Sequence, residues 1–427
     1  MNNKDNTLRY LSYAAKISFI LYIFFTFWGT KLPFQEKIYD VEDIVTSNIF
    51  NQIIYSGLFL VSFFALVFKR SDLFSLIKRE KFLTIFLLWC LFSILWSDFP
   101  IVSFKRYFQF FTGFIVSAAA LLYCDDVDDN MKYFQYVLAA FVIVSIMSVF
   151  TIPAALDKQG IWRGLAVGKN SLGQASLVSL IFWFLSFKLA NTTWKKILSF
   201  AIIFFSLVLL IGSRSGTSII GFAVLLVVVG LLQIDKIFHP IGMKKSFSTI
   251  AIFAFLLIIC VSIIFDPEIF NVLPGLIGKD ITFTGRTFLW EEILLEVNNH
   301  PILGCGFQGY WVVTNENLLK LYEQFVWLPN QAHNGYLDIL NEVGFIGLIL
   351  FILTVINFSL NLPKHKKHFH WQWFLLITLV LNIQESTLIR PQHPTGVLFM
   401  FSYLTLFMNL TKQDENKLIN KNKRSIN

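Results

Sequence analysis

Charge is scarce in this chain. Asp, Glu, Lys and Arg make up 15% of its 427 residues, against about 25% in water-soluble globular domains. That deficit, together with 56% apolar residues and a mean hydropathy of +0.63, excludes a soluble protein. Cysteine is sparse as well. Cys90, Cys124, Cys260 and Cys305 are scattered, three of them within or at the ends of apolar stretches, so neither a disulfide framework nor a cysteine-based zinc site is encoded. Short alternating strands are missing, and an open sheet cannot leave its edge groups unpaired in hydrocarbon, which excludes a β architecture. No internal repeat and no composition shift marks off a soluble domain.

What the chain has instead is 48 Phe, 11 Trp and long apolar runs, a composition suited to lipid. A helix needs roughly 20 apolar residues to span the bilayer core. About twelve such runs are centred near residues 20, 58, 89, 115, 141, 180, 203, 225, 257, 350, 378 and 403. The first contains Lys16 and is followed by no small-residue cleavage site, so it reads as a retained helix rather than a signal peptide. The expected fold is an all-α integral membrane protein of about 12 transmembrane helices, forming a single polytopic domain over residues 1–427.

An even helix count puts both termini on one side of the membrane. With that side inside, 22 cations fall in inner segments and 12 in outer ones, which makes both termini cytoplasmic. The short inner loop expected from Lys69 to Lys81 and the basic tail 411–427 contribute most. Orientation thereby accounts for the net charge of +8, and nucleic acid is not expected as a partner. One outer connection, residues 266–332 between helices nine and ten, is far longer than the rest and is predicted to contain a short amphipathic helix after Thr284.

Cations that remain on the outer side run against the orientation rule and need a reason. The set is Arg163, Lys169, Arg214, Arg286 and Arg390, with Lys105 and Arg106 at the start of the fourth helix. Arg214 lies in Ile211-Gly-Ser-Arg-Ser-Gly-Thr217, at the outer junction of two apolar runs. A charge at membrane depth costs ~2.5–3.5 kcal/mol on insertion scales. Snorkelling to the interface would account for any one of these side chains. A group of them drawn from separate outer loops, three beside Gly-containing turns, points to a shared anion, and guanidinium forks match the oxygens of a diphosphate.

After Gly285, a segment from Arg286 to Val297 has apolar residues at Leu289, Ile293 and Val297, the stripe of an interfacial helix whose Glu291, Glu292 and Glu296 are solvated. His333 opens the next motif, His-Asn-Gly-Tyr-Leu-Asp-Ile-Leu-Asn-Glu-Val-Gly-Phe-Ile-Gly347, where the long loop enters the tenth helix. Asn334, Asp338, Asn341 and Glu342 share one helical face, which should point into the bundle. An imidazole beside a cationic cavity suits proton abstraction near neutral pH.

Two other clusters invite metal readings. His365-Lys-Lys-His368-Phe-His370 lies in a basic inner loop, opposite the proposed cavity, and Asp125-Asp126-Val-Asp128-Asp129 lacks the spacing of a calcium loop. No metal ligand set and no cofactor motif is read from the sequence.

These motifs carry a resemblance. Arg163-Gly with Gly168-Lys-Asn170, Ser213-Arg-Ser-Gly-Thr217, Gly285-Arg-Thr-Phe-Leu-Trp290 with Pro301-Ile-Leu-Gly-Cys-Gly-Phe307, and His333-Asn-Gly-Tyr-Leu with Glu342-Val-Gly-Phe-Ile-Gly347 together resemble the O-antigen ligase and polymerase superfamily of bacterial membrane glycosyltransferases. The match spans about residues 160 to 350, and the first 150 residues match in hydropathy alone. The Gly-Arg-Thr form, and Trp311 after Gly-Tyr, look similar to the exopolysaccharide-polymerase-like branch.

The resemblance implies a GT-C-like bundle in the bacterial inner membrane. It would act on the periplasmic side as a metal-independent, inverting glycosyltransferase. Its donor would be undecaprenyl-diphosphate-linked glycan, and its acceptor a second lipid-linked repeat or a lipid A core glycan. The implied roles are catalytic for His333, Arg214 and Arg286, and substrate-binding for Arg163, Lys169, Asn170, Lys105, Arg106, Arg390, Asp338 and Glu342. A polymerase is the preferred reading, a ligase the alternative. A lipid-linked oligosaccharide flippase is the rival from another class, although carriers place polar sites near the midplane of repeated, broken helices.

Overall fold

The computed structural model describes residues 3–28, 34, 49–124, 126, 129–226, 286–312, 314–324, 329–361, 371–383, 385–390 and 393–408. Its helices are α1 (Asn3–Trp28), α2 (Ile49–Phe68), α3 (Arg70–Phe92), α4 (Pro100–Leu122), α5 (Asp129–Thr151), α6 (Lys169–Leu189), α7 (Thr193–Gly212), α8 (Gly216–Leu226), α9 (Arg286–Asn299), α10 (Glu316–Gln324), α11 (Gly335–Asn361), α12 (Trp371–Leu381) and α13 (Pro394–Met408). Helices occupy eleven of the twelve expected positions, and the run near residue 257 lies outside the described residues. Six are long and apolar enough to cross a membrane. Among the described residues there is no β-strand. This is an all-α, multi-pass membrane protein.

The helix ends sort onto two faces. On one, Ser12 donates to the Tyr123 carbonyl, Lys69 Nζ to the Leu122 carbonyl at 3.0 Å and Tyr123 OH to the Ala65 carbonyl. On the other, the indoles of Trp89 and Trp96 donate to the carbonyls of Val343 and Leu303, and Ser93 accepts the Phe307 N–H. Alternation of the helices brings residues 152–168, the turn at Arg214, residues 300–312 and 329–334, and residues 382, 383 and 385–390 to this second face.

The segment from Lys69 to Lys81, expected as a loop, is helical from Arg70 on and forms the first half of α3. Leu73 and Ile77 pack against the core and Leu76 is buried, whereas Lys78 and Lys81 are exposed. This amphipathic pattern lets a cation-rich stretch stay helical at the interface. The helix bends at Glu80, whose backbone leaves helical values.

Aromatic rings build much of the interior. Phe134 stacks on Phe182 at 5.0 Å, Phe182 on Phe374 at 4.0 Å and Phe19 on Phe401 at 4.8 Å, joining α1, α5, α6, α12 and α13. In lipid no hydrophobic drive favours one helix neighbour over another, so such packing and inter-helix hydrogen bonds select partners. Ser206 to Ser179, at 2.9 Å between α7 and α6, is one of those bonds.

α11 is interrupted near its start. Gly344 has φ +68°, and the segment 301–306 crosses the break. The N–H groups of Cys305 and Gly306 donate to the carbonyls of Asn341 and Glu342, while the N–H groups of Phe345 and Ile346 donate to the carbonyls of Pro301 and Ile302. Helix groups freed by the interruption are thus satisfied inside the protein, as a membrane requires. The approach needs glycine on both sides. A Cβ on Gly304 would collide with the Glu342 backbone, and one on Gly344 with the Ile302 backbone.

Candidate active site

His333 sits at the entrance to α11, one residue before Asn334. The Asn334 side chain accepts from the backbone N–H of Tyr336 at 3.1 Å and of Leu337 at 3.2 Å, an N-cap that fixes where the helix begins. His333 itself has φ +53°, a left-handed conformation uncommon for a residue with a side chain. Its Nδ1 lies 2.7 Å from Oε2 of Glu385, which also accepts from Gln331 Nε2 at 2.8 Å. Gln331 Nε2 also stands 3.2 Å from Nδ1. Against an ionised Glu385, which can only accept, the ring hydrogen belongs on Nδ1 and Nε2 is left as the basic nitrogen.

The other Glu385 oxygen, Oε1, accepts from Asn170 Nδ2 at 2.6 Å. Asn170 Oδ1 in turn accepts from Ser215 Oγ at 3.2 Å, and Ser215 bonds to Thr217 and Ser218 within its turn. One chain of polar contacts therefore runs from His333 through Glu385 and Asn170 to Ser215. Lys169, the first residue of α6, and Arg214, with φ +46° in the turn between α7 and α8, are the immediate neighbours of the bonded Asn170 and Ser215. Both are exposed. Two cations and the N-terminus of α6 share this corner, an electropositive arrangement suited to an anion.

The remaining expected site residues divide. Asn334, Asp338, Asn341 and Glu342 are all buried. Asp338 accepts from Trp311 Nε1 at 2.8 Å, from Arg390 Nη2 at 3.3 Å and from the Ala332 N–H. Glu342 accepts the backbone N–H of Gln308 at 3.0 Å. Arg106 donates to the carbonyls of Gln308 at 2.7 Å and Trp311 at 3.0 Å. Arg163 Nε donates to the Ala154 carbonyl at 2.6 Å. Asp338, Glu342, Arg106, Arg390 and Arg163 are thus engaged with the protein's own loops, whereas Lys105 is exposed on α4. Arg286 is the first residue of α9, in which Leu289, Ile293 and Val297 form the expected buried stripe.

Sequence reading missed Glu385 and Gln331. Glu385 could have been found, because an ionisable residue within a few positions of an apolar run is a functional candidate by default in a membrane protein. It also missed His393. Loss of solvent lowers the pKa of that imidazole to about 4, with Arg390 adding in the same direction and Glu385 opposing; His393 is neutral at pH 7 and adds no cation to the site. His365, His368 and His370 lie outside the described residues, as do Asp125 and Asp128.

Residues 201–352 match the O-antigen ligase family model. Over this stretch, about a third of its length, the chain is similar to that family. The matched stretch contains Arg214, Arg286, His333, Asp338 and Glu342, and Glu385, Lys169 and Asn170 fall outside it. Among its relatives is the exopolysaccharide production protein ExoQ of Rhizobium meliloti, 29% identical over 153 residues, which is 35% of this chain and 34% of that protein. A protein of Rickettsia prowazekii named as a candidate polysaccharide ligase is 26% identical over 308 residues, 70% of this chain and 72% of its own length. One of the same description from Rickettsia typhi is 26% identical over 309 residues, with the same coverage. The alignment thus spans about a third of ExoQ and nearly three quarters of the two rickettsial proteins.

Proposed function

We propose that this chain is a surface-polysaccharide glycosyltransferase of the O-antigen ligase/polymerase type. It moves glycan from undecaprenyl diphosphate to an acceptor sugar hydroxyl at the periplasmic face of the bacterial inner membrane. The observation that carries the reading is the contact chain His333–Glu385–Asn170–Ser215, with Lys169 and Arg214 at its far end. A base oriented by a carboxylate is thereby joined to an anion-binding corner, and glycan transfer from a diphosphate needs both. The relatives' names and the excess of cations on the opposite face support the substrate class and the orientation, with both termini in the cytoplasm.

In this mechanism His333 Nε2 takes the proton from the acceptor hydroxyl as its oxygen attacks the anomeric carbon. The carbon–oxygen bond to the diphosphate breaks, and its electron pair leaves with undecaprenyl diphosphate. Glu385 stabilises the imidazolium that forms and holds its ring. Arg214 and Lys169, with Arg286 from the start of α9, oppose the charge growing on the leaving group. A single displacement without a covalent enzyme intermediate inverts the anomeric configuration. The cations supply the role that a divalent metal plays elsewhere, so the reaction is written without one.

We favour a polymerase, which must accommodate two anionic lipid-linked head groups. The exposed Lys105, additional to the central cations, fits that demand, as does the motif form of the exopolysaccharide-polymerase-like branch. Deletion in the native host should leave single repeat units and abolish long chains. If long polymer instead accumulates on undecaprenyl diphosphate and none reaches the lipid A core, the protein is a ligase. Labelled glycan that crosses a reconstituted bilayer without covalent transfer would make it a carrier.

A further inference from the structure

The Ala332 backbone, next to His333, is held on both sides of its Cα. Its N–H donates to the two Asp338 oxygens at 3.3 and 3.2 Å, and its carbonyl accepts from Trp290 Nε1 at 2.6 Å. Ala332 and Trp290 are 0% and 2% exposed, so no solvent competes for these bonds. Directly after the clamped residue comes the left-handed His333, and after that the Asn334 cap. A residue with a side chain keeps a positive φ only where its surroundings over-determine it. Here the cap fixes the following residue and the clamp fixes the preceding one.

We propose that Trp290 is a positioning residue for His333, on the functional reading given above. Its indole N–H holds the loop peptide from which the imidazole projects. Trp290 also lies one turn after Arg286 on α9, so the same bond sets the distance between the helix that starts at Arg286 and the base. Asp338 is the other jaw of the clamp. Its partners Trp311 and Arg390 hold that carboxylate in place, which gives Asp338 and Arg390 a role inside the protein rather than on the substrate. The Trp of Gly285-Arg-Thr-Phe-Leu-Trp290 then has a physical reason to follow the Arg at helical spacing.

The test removes the N–H and keeps the ring. Benzothienylalanine at position 290 replaces the indole nitrogen by sulfur with little change of shape, and Trp290→Phe is the simpler variant. Each is reconstituted in liposomes with the host's undecaprenyl-diphosphate-linked repeat unit. Rates are taken per folded protein. Loss of one hydrogen bond to the positioning loop should lower kcat about tenfold or more while the donor KM stays within about twofold. In a His333→Ala background the same change should have no further effect on the residual rate, because the two residues act as one unit. Normal kcat in the benzothienyl protein, or an equal loss in the His333→Ala background, would overturn the proposal while leaving the functional reading intact. Full activity of His333→Ala itself would overturn that reading, and the role of Trp290 with it.

Discussion

Glu385 is the residue on which the proposed chemistry turns, and two substitutions separate its charge from its shape. Its carboxylate accepts from three side chains, His333, Gln331 and Asn170, at 2.6 to 2.8 Å, and its side chain is 5% exposed. Glu385→Gln must place one NH2 where an acceptor stood. The lower-cost arrangement keeps the amide oxygen toward His333 and Gln331 and turns the NH2 toward Asn170. Asn170 can flip to meet it, since its other partner is the Ser215 hydroxyl, which both donates and accepts. Orientation of the imidazole is therefore retained and the negative charge is lost. A hydrogen bond to a charged group is worth ~1.5–3 kcal/mol, so kcat should fall by about 10- to 150-fold at ~1.4 kcal/mol per tenfold. Glu385→Ala loses orientation as well and leaves three donors without their acceptor, so it should be slower still and also less stable. The assay is transfer of labelled glycan by purified protein in liposomes, with melting of the detergent-solubilised protein as the control. Equal activity of wild type and Glu385→Ala would refute the dyad.

Arg214→Ala and Arg286→Ala should remove most glycan transfer while leaving the amount of protein in the membrane near wild type, since they act on the transition state rather than on packing; His365→Ala, His368→Ala and His370→Ala should transfer glycan normally. Activity should persist in chelator, and loss restored by a divalent ion would show that a metal has been missed. Cysteines introduced at Asn315 and Lys279 should react with an impermeant reagent from outside and one at Lys366 should not; the reverse pattern would put His333 on the wrong side. Gly344→Ala forces a side chain into a backbone with φ +68° against the Ile302 carbonyl. Paired with ψ −174°, that φ lies in a region essentially reserved for glycine and costs a side-chain residue ~1–3 kcal/mol, so the variant should melt lower than wild type, and an unchanged melting temperature would deny that the 301–306 crossing holds α11.

Much of this organisation can be read from the chain, and the part that cannot has a definable cause. Apolar runs of bilayer length announce themselves, and among the described residues helices stand at the positions they predict. The first half of α3 escaped because a charge count sees Lys69, Arg70, Lys78, Arg79 and Lys81 but not the buried Leu76 between them. Cations are visible for a different reason. Arg214 and Lys169 run against the cation count from which the orientation is read, so each is an anomaly in one dimension. A carboxylate violates no such rule, because acidic residues weigh little in orientation. The role of Glu385 exists only in three dimensions, through partners 215, 54 and 52 residues away. The same holds for the engaged charges. Arg106 and Arg390 have the residue type and membrane side expected of substrate ligands, and only their distances to Gln308, Trp311 and Asp338 reveal that they hold loops. In this protein, then, the exposed cations are the ones whose sequence anomaly points to a ligand, and the half-buried ones are those whose anomaly is answered from within. Burial, which a linear pattern does not encode for a long charged side chain, is what separates the two.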